Sequence, residues 1–237
     1  MSLPRALSKL GLCSRTEAFA FIADGRTRVN DRICRDPALR VSLDLDRITV
    51  EGATPRTSRE HIVIALHKPV GYVTTRADPQ GRKTVYDLLG KLDRFVFPVG
   101  RLDKDTSGLL IFTDDHRLGE RLTSPDSNVG KVYEVRVDAL PDSLGLKHLR
   151  SGLDIGRGEV TRPAGVDVIE AQSMLRIRLH EGKNRQIRRM IAAVGLKVLS
   201  LVRVGIGGFE LGGLPSGHYR LLDAREQKLL SSPPSRG

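Results

Sequence analysis

The sequence has no tryptophan, and aromatic residues make up only 4% of its 237 residues. Cysteine is scarce as well: Cys13 and Cys34 stand alone, outside any Cys-x-x-Cys pair or Cys/His cluster. This spacing argues against a zinc site, so no metal is expected. The two cysteines fit a reducing compartment, in which they serve as small apolar side chains.

Long apolar runs are also missing. No stretch approaches the length that spans a bilayer, and the first residues lack the charged-then-apolar pattern of a signal peptide. We therefore expect a cytoplasmic protein. Hydrophobic residues still make up 39% of the chain, which is enough for a real core, and the length suits a large domain with or without a small one.

Positive charge is what the sequence has in excess, with a formal net charge of +11. Such a balance favours a polyanionic partner: RNA, DNA or an anionic membrane. The cations form two clusters, one within residues 1–35 and one within residues 176–189, where Glu181 is the single acidic residue. Clustering of this kind indicates contacts with phosphate groups.

The first 52 residues predict a small α/β domain. Ser14 and Glu17 have the spacing of a capping box that begins a second short helix, and Gly25 is placed to end it. An arginine-rich hairpin is expected over residues 26–33. The cationic surface suits phosphate contacts, although a basic cap that only packs on the next domain explains the residues too.

The remaining chain predicts a larger domain over residues 61–230, and hence an α+β fold with a mixed, largely antiparallel sheet. Residues 53–60 are polar, include Pro55 and show no periodicity, which predicts a linker. Residues 231–237 predict a frayed, flexible tail.

The most informative stretch is Gly-Arg-Leu-Asp-Lys-Asp-Thr-Ser-Gly-Leu-Leu at residues 100–110. Its polar part lies between two apolar segments that predict buried strands, so it should be an anchored loop. Asp103 on such a loop, beside Arg101 and Lys104, should stay ionised and fixed in position, as a nucleophile or electrostatic stabiliser must. An aspartate that merely caps the loop explains the pattern equally well.

A second polar stretch, Glu-Gly-Lys-Asn-Arg-Gln-Ile-Arg-Arg-Met at residues 181–190, leads into a predicted helix. A helix start with free backbone N–H groups and arginines is a good anion site. Helical spacing puts Arg185 and Arg188 on neighbouring faces, while Ile187 and Met190 can face the core.

Together these stretches resemble the pseudouridine synthases of the RsuA type, which isomerise specific uridines in ribosomal RNA. Residues 100–110 are similar to the family's catalytic motif, Lys-Pro-Val-Gly at residues 68–71 to its first motif, and residues 182–189 to its final motif. The first 52 residues resemble the alpha-L RNA-binding domain, first described in a small-subunit ribosomal protein, which often precedes such catalytic domains.

The resemblance implies roles for individual residues. Asp103 would be the catalytic aspartate, Arg188 would pair with it, and Tyr133, in an alternating Lys-x-Tyr strand, would stack on the target base. An ordinary strand aromatic packed in the core is the alternative for Tyr133. Further substrate contacts are assigned to Arg101, Lys104 and Arg185. RNA contacts in the first domain are assigned to Arg5, Lys9, Arg15, Arg26, Arg28 and Arg32.

The implied function is site-specific isomerisation of uridine to pseudouridine in ribosomal RNA, more in the manner of large-subunit than of small-subunit enzymes. No electrons or groups enter or leave in this reaction, so no cofactor is required. We expect a monomer whose partner is ribosomal RNA and not a membrane. Two alternatives remain: a non-catalytic RNA-binding or ribosome-assembly protein, and a metal-dependent nuclease that uses Asp103, Asp105, Asp114 and Asp115.

Overall fold

The computed structural model describes residues 1–52 and 61–232 and divides the chain into two compact units. The first contains Met1–Ile62, Leu92–Phe97 and Thr113–Arg117, and the second contains the rest. The predicted linker at 53–60, and residues 233–237 of the predicted tail, lie outside the described residues, so the predicted domain boundaries stay predictions. Within the described ranges, no helix has the length and apolar character needed to span a membrane.

The described residues form short helices and strands. The helices are α1 (Leu3–Lys9), α2 (Arg15–Ala23), α3 (His116–Thr123), α4 (Ser143–Ser151), α5 (Gln186–Ala193) and α6 (Ala224–Leu229), with 3-10 turns at Val85–Leu88, Pro125–Ser127 and Glu170–Gln172. The strands are β1 (Thr27–Val29), β2 (Arg32–Ile33), β3 (Ile48–Val50), β4 (Val63–Lys68), β5 (Phe97–Pro98), β6 (Ser107–Thr113), β7 (Lys131–Val137), β8 (Gly165–Ile169), β9 (Met174–Leu179), β10 (Val198–Ile206), β11 (Phe209–Glu210) and β12 (Tyr219–Leu221).

In the first unit, the helix cap and the hairpin that the sequence predicts are both present. Ser14 accepts a hydrogen bond from the Glu17 amide, and the Glu17 carboxylate accepts one from the Ser14 amide, so the predicted capping box is present. Asn30 and Asp31 both have positive φ, at 51° and 65°, which gives the tight turn between β1 and β2. β3 pairs antiparallel with β1, and the order of the sheet is β2-β1-β3.

The large sheet has the order β12-β4-β6-β10-β7-β9-β8. The β7–β10, β7–β9, β8–β9 and β4–β12 pairs are antiparallel, and β6–β10 is parallel. The predicted α+β class is thus confirmed. Apolar side chains of β7, β8 and β9 pack against α4 and α5, with Ile187 and Met190 buried as expected. This packing fixes α5, whose start carries the arginine cluster.

A short segment after β4 forms a 3-10 turn and not an α-helix. The segment from Thr84 to Leu89 forms only the 3-10 turn Val85–Leu88, in which Asp87 caps the Thr84 amide at 2.7 Å. Gly90 follows with a φ of 61° and ends the turn. A segment this short cannot gain enough α-helical hydrogen bonds to offset helix nucleation.

Gly108 of the motif stands where two strands come unusually close. It lies opposite Arg203 in the parallel β6–β10 pair, and its φ is 108°. A Cβ on Gly108 would lie 2.5 Å from the amide nitrogen of Arg203 and closer still to its carbonyl oxygen. Only glycine fits this position, since both its conformation and its space exclude a side chain.

We expect Gly108→Ala to lower the free energy of unfolding by more than about 2 kcal/mol, because the new Cβ must push β10 away from β6. Urea denaturation followed by circular dichroism measures the change. Gly213→Ala is the matched control, because a Cβ there meets no atom within 4 Å. Equal stability of the two variants would contradict the packing described.

Candidate active site

The polar loop that precedes β6 lies at a cleft of about 390 Å³ within the second unit. The cleft brings together side chains from distant parts of the sequence. Its lining includes Arg101, Asp103 and Thr106 of the loop, Lys131 and Tyr133 of β7, Arg203 of β10, and Lys183, Arg185 and Gln186 at the start of α5. The two stretches that the sequence singled out therefore meet at one site.

Asp103 combines a fixed backbone with an accessible carboxylate. Its carbonyl oxygen accepts a hydrogen bond from the Thr106 amide at 3.1 Å, which closes a turn. Its side chain is 37% exposed, and the nearest cation is Arg185, with Nη1 3.9 Å from Oδ2. Within the described ranges nothing donates a hydrogen bond to the Asp103 carboxylate, so it is free to attack an electrophile, stabilise a cation or accept a proton.

The side chain of Lys68 fixes the backbone of this loop. The residue is fully buried, and its Nζ donates hydrogen bonds to three carbonyl oxygens: Pro69 at 3.0 Å, Asp103 at 3.0 Å and Thr106 at 2.7 Å. All three N–H groups of the ammonium are therefore used, two in hydrogen bonds to the loop and one in the hydrogen bond to Pro69. Burial lowers the pKa of Lys68 to about 8, against the opposing pull of the Asp105 and Asp103 charges.

In the sequence, Lys68 is only the first residue of the Lys-Pro-Val-Gly motif and has no predicted role. A signal was present, however, because a lysine ends a strand whose preceding residues are almost all buried. Such a lysine must either reach solvent or find acceptors inside. The structure shows acceptors that belong to a loop 35 positions further along the chain, which the sequence alone does not reveal.

The expected pair between Arg188 and Asp103 does not form. Arg188 instead donates from Nη2 to the carbonyl oxygen of Asp105 at 2.8 Å, and its Nε lies 3.2 Å from Asp105 Oδ2. Arg188 lies within α5, and the placement of this helix brings its side chain to the loop at Asp105, two positions beyond Asp103.

Arg185 is the arginine that reaches both aspartates. Its Nη1 and Nη2 donate to Asp105 Oδ1 and Oδ2 at 3.1 and 3.0 Å, a two-pronged contact. Its own φ of 47° turns its backbone just before α5 begins. Partial burial would raise the pKa of Asp105, but hydrogen bonds from Arg185 and the charge of Arg188 outweigh it and hold this pKa below its usual value.

Tyr133 lies on β7 directly opposite Arg203 of β10. It is half-buried and lines the cleft, a position compatible with contact to a base. Arg101 also lines the cleft and is exposed. Lys104 is exposed but does not belong to the cleft lining, so the structure does not bring it to the site with the others.

Three cations that were not predicted as site residues also line the cleft: Lys183 before α5, and Arg203 and Lys131 on the strands. Arg203 is only 3% exposed and donates from Nε to the Leu109 carbonyl oxygen at 2.8 Å. Lys131 begins β7, and burial, followed by the charge of Arg203, lowers its pKa. Alternation along the strands places both side chains on the cleft side, which makes the cleft strongly positive and attractive to an anionic ligand.

The cations of the first unit that were predicted to bind RNA differ in the contacts that they make within the protein. Arg26 lies 4.5 Å from the centre of the Phe21 ring and donates to the Glu51 carbonyl oxygen, and Arg28 donates to that of Asp31. Lys9 is half-buried. The exposed cations without an ion pair or hydrogen bond to described residues include Arg5, Arg15 and Arg32.

The carboxylates proposed for a nuclease site have other partners. Asp114 accepts from the Ile62 amide at 3.0 Å and pairs with Arg94 at 3.4 Å, while Asp115 caps the Arg117 amide at 2.8 Å. Within the described parts of the chain, no group of three or more His, Cys, Asp or Glu residues is placed to hold a metal ion. The geometry therefore gives the nuclease alternative no support.

Comparison with known families gives two matches. The family model described as RNA pseudouridylate synthase matches residues 62–193, and the S4 domain model matches residues 1–46. The two predicted resemblances, to a pseudouridine synthase and to an N-terminal RNA-binding domain of ribosomal-protein type, are thereby confirmed.

Individual proteins match over nearly the full chain. A protein of Aquifex aeolicus described as an uncharacterized RNA pseudouridine synthase is 35% identical, covering 93% of this chain and 89% of the relative. The ribosomal large subunit pseudouridine synthase B of Bacillus subtilis is 33% identical, covering 96% and 94%. A crystal structure of a pseudouridylate synthase has a TM-score of 0.70 and 28% identity, covering 97% of this chain and 99% of that one.

The buried ammonium of Lys68 predicts a pH dependence of stability. Its pKa falls from 10.5 in a free lysine to about 8 in the fold. Between these values the unfolded chain keeps a proton that the folded chain has released. The free energy of unfolding should therefore rise with pH, by about 1 kcal/mol per unit, relative to a variant that lacks this group.

Urea denaturation of wild type and Lys68→Met at several pH values between 8 and 10 measures this difference. Lys147→Met, at an exposed position of α4, is the control and should follow wild type at every pH. A wild-type advantage over Lys68→Met that stays constant with pH would show that Lys68 does not titrate in this window.

Proposed function

Because the chain belongs to the RNA pseudouridylate synthase family, we propose that it isomerises uridine to pseudouridine in ribosomal RNA with Asp103 as its catalytic carboxylate. The observation that carries this proposal is the Asp103 side chain, which lies in the cleft on a clamped loop and accepts no hydrogen bond from the described residues. A carboxylate in this state is both fixed and reactive.

The reaction breaks the bond between C1′ of the ribose and N1 of uracil, turns the base, and joins C5 to C1′. Asp103 can serve the first step by attack on C1′, by stabilising positive charge there as in glycosidases, or by taking a sugar proton. Tyr133 would hold the base once it has left the RNA stack. Arg101, Lys131 and Arg185 provide positive charge for the phosphates that flank the target nucleotide.

Ribosomal RNA is the proposed substrate on two grounds. The Bacillus subtilis relative is named for the large ribosomal subunit, and the S4 domain match coincides with the cationic first unit. In this proposal Arg5, Arg15 and Arg32 contact RNA phosphates, and Lys104 and Arg188 assist the substrate site from its edge. A cytoplasmic location and a monomeric state belong to the same proposal, as do a binding domain at residues 1–52 and a catalytic domain at residues 61–230.

We expect Asp103→Asn to abolish pseudouridine formation while leaving RNA affinity within about threefold of wild type, because the amide keeps the shape but loses the charge that the reaction needs. Single-turnover assays on ribosomal RNA, with pseudouridine mapping, measure the rate. Asp167→Asn, at an exposed position of β8, is the control and should match wild type. A near wild-type rate for Asp103→Asn would remove Asp103 from the mechanism.

The same assay separates the alternatives. A non-catalytic RNA-binding protein would bind ribosomal RNA but form no pseudouridine in either variant. A metal-dependent nuclease would cleave the RNA and lose that activity with a chelator. Pseudouridine formation that persists in the presence of a chelator supports the isomerase.

RNA affinity should fall steeply with salt, since phosphate contacts release counterions. Arg15→Gln and Arg32→Gln should each lower the slope of log K against log salt by about one. Arg26→Gln is the contrasting variant, because Arg26 is already engaged with Phe21 and Glu51, and it should change the slope less. Fluorescence anisotropy at several salt concentrations measures the slopes, and identical slopes for all three variants and wild type would contradict the assignment.

A further inference from the structure

The segment that follows β4 is hydrogen-bonded to the loop of Asp103 at several points. Lys68, the last residue of β4, donates to the carbonyl oxygens of Asp103 and Thr106. A little further along the chain, the amide of Gly71 donates to the carbonyl oxygen of Lys104 at 2.8 Å. These contacts hold the part of the loop that leads into β6.

The hydroxyl group of Thr74 holds the other end of the loop. Its Oγ1 donates to the carbonyl oxygen of Leu102 at 2.7 Å and accepts a hydrogen bond from the Leu102 amide at 3.2 Å. A hydroxyl group can donate and accept at the same time, so a single oxygen atom pairs with both backbone groups of Leu102. Leu102 is only 5% exposed, which leaves water little room to replace these two bonds.

The backbone that carries the Thr74 side chain is itself paired. The amide of Val73 donates to the carbonyl oxygen of Lys83 at 2.9 Å, and the amide of Val85 donates to the carbonyl oxygen of Val73 at 3.0 Å. The peptide group that joins Val73 to Thr74 is therefore fixed. The hydroxyl group consequently reaches Leu102 from a backbone that is held in place.

Together these contacts fix the two peptide groups that flank Asp103. Thr74 holds the carbonyl oxygen of the preceding peptide group, and Lys68 holds that of the following one. Since each peptide group is planar, holding both restricts rotation about the two backbone bonds of Asp103 and fixes the direction of its Cα–Cβ bond. A reactive side chain depends on such restriction, because a misplacement of about 1 Å can lower a rate roughly a hundredfold.

We propose that Thr74 is a positioning residue whose hydroxyl group sets the direction in which the Asp103 carboxylate enters the cleft. The inference rests on the proposed function, in which Asp103 is the catalytic group. Thr74 is not among the residues that line the cleft, so it acts through the backbone of the loop and not through contact with RNA.

The test compares Thr74→Val, which keeps the shape of the side chain but loses the hydroxyl group, with Thr74→Ser, which keeps the hydroxyl group. In single-turnover assays at saturating ribosomal RNA, Thr74→Val should form pseudouridine about tenfold more slowly than wild type, because the Asp103 side chain is no longer held in one direction. Thr74→Ser should stay within about twofold of the wild-type rate, and both variants within about twofold of the wild-type RNA affinity, since neither removes a contact with RNA.

Thr161→Val is the matched control for a general loss of stability. Thr161 is 5% exposed, and its hydroxyl group accepts a hydrogen bond from the Leu153 amide at 3.1 Å. Neither residue is part of the cleft lining. The control should lower the free energy of unfolding in urea by an amount similar to Thr74→Val but keep the wild-type rate and affinity.

Three results would overturn the proposal: a wild-type rate for Thr74→Val, a Thr74→Ser variant as slow as Thr74→Val, or an equal loss of rate in Thr161→Val. If Thr74→Val does not fold, Thr74→Ala replaces it, because it differs from Thr74→Ser only by the hydroxyl group, and equal rates for those two would overturn the proposal. A wild type that forms no pseudouridine overturns the proposed function itself, whereas an active wild type with an unaffected Thr74→Val overturns this inference alone.

Discussion

The site depends on a positive charge that is buried beneath its loop. Removing an ammonium from water is strongly unfavourable unless all its protons find acceptors, and Lys68 finds three carbonyl oxygens, two of them in the loop of Asp103. The same interaction that makes the burial of Lys68 tolerable therefore fixes the loop backbone. Because Lys68 holds the main chain of the loop, the Asp103 carboxylate can face the cleft without hydrogen bonds to its own oxygens.

The surroundings of the loop give two chemically identical side chains, those of Asp103 and Asp105, different contacts. Asp105 is held as a stable anion by Arg185 and Arg188, while the carboxylate of Asp103, two positions earlier, accepts no hydrogen bond from the described residues. The two carboxylates thus differ in their charge environment because of their partners and not because of residue type. The positive charges of Lys131 and Arg203 on the neighbouring strands further favour an anionic ligand at the same place.

Other residues of the motifs have structural roles. Gly108 allows β6 and β10 to approach so closely that no side chain fits between them, which places Arg203 beside the loop. Gln186 joins the start of α5 to the preceding turn through Glu181 at 2.6 Å and the Lys183 amide at 2.9 Å. These contacts hold the segments that carry the cleft residues. The motifs therefore contain residues that fix the structure as well as residues that line the cleft.

Local signals in the sequence determined a large part of this protein: the capping box of α2, the β1–β2 turn, the alternation of β7, the buried face of α5, and the resemblance that pointed to Asp103, Tyr133 and the arginines of α5. Each depends on residues close together in the chain or on a motif that can be read directly. Partner choice was not determined in this way. Only the tertiary structure decided three contacts. Arg188 meets Asp105 and not Asp103, the ammonium of Lys68 binds carbonyl oxygens of the loop, and Arg203 lines the cleft. These contacts join residues far apart in sequence, and their distances depend on strand register and on the placement of α5, which no local pattern encodes.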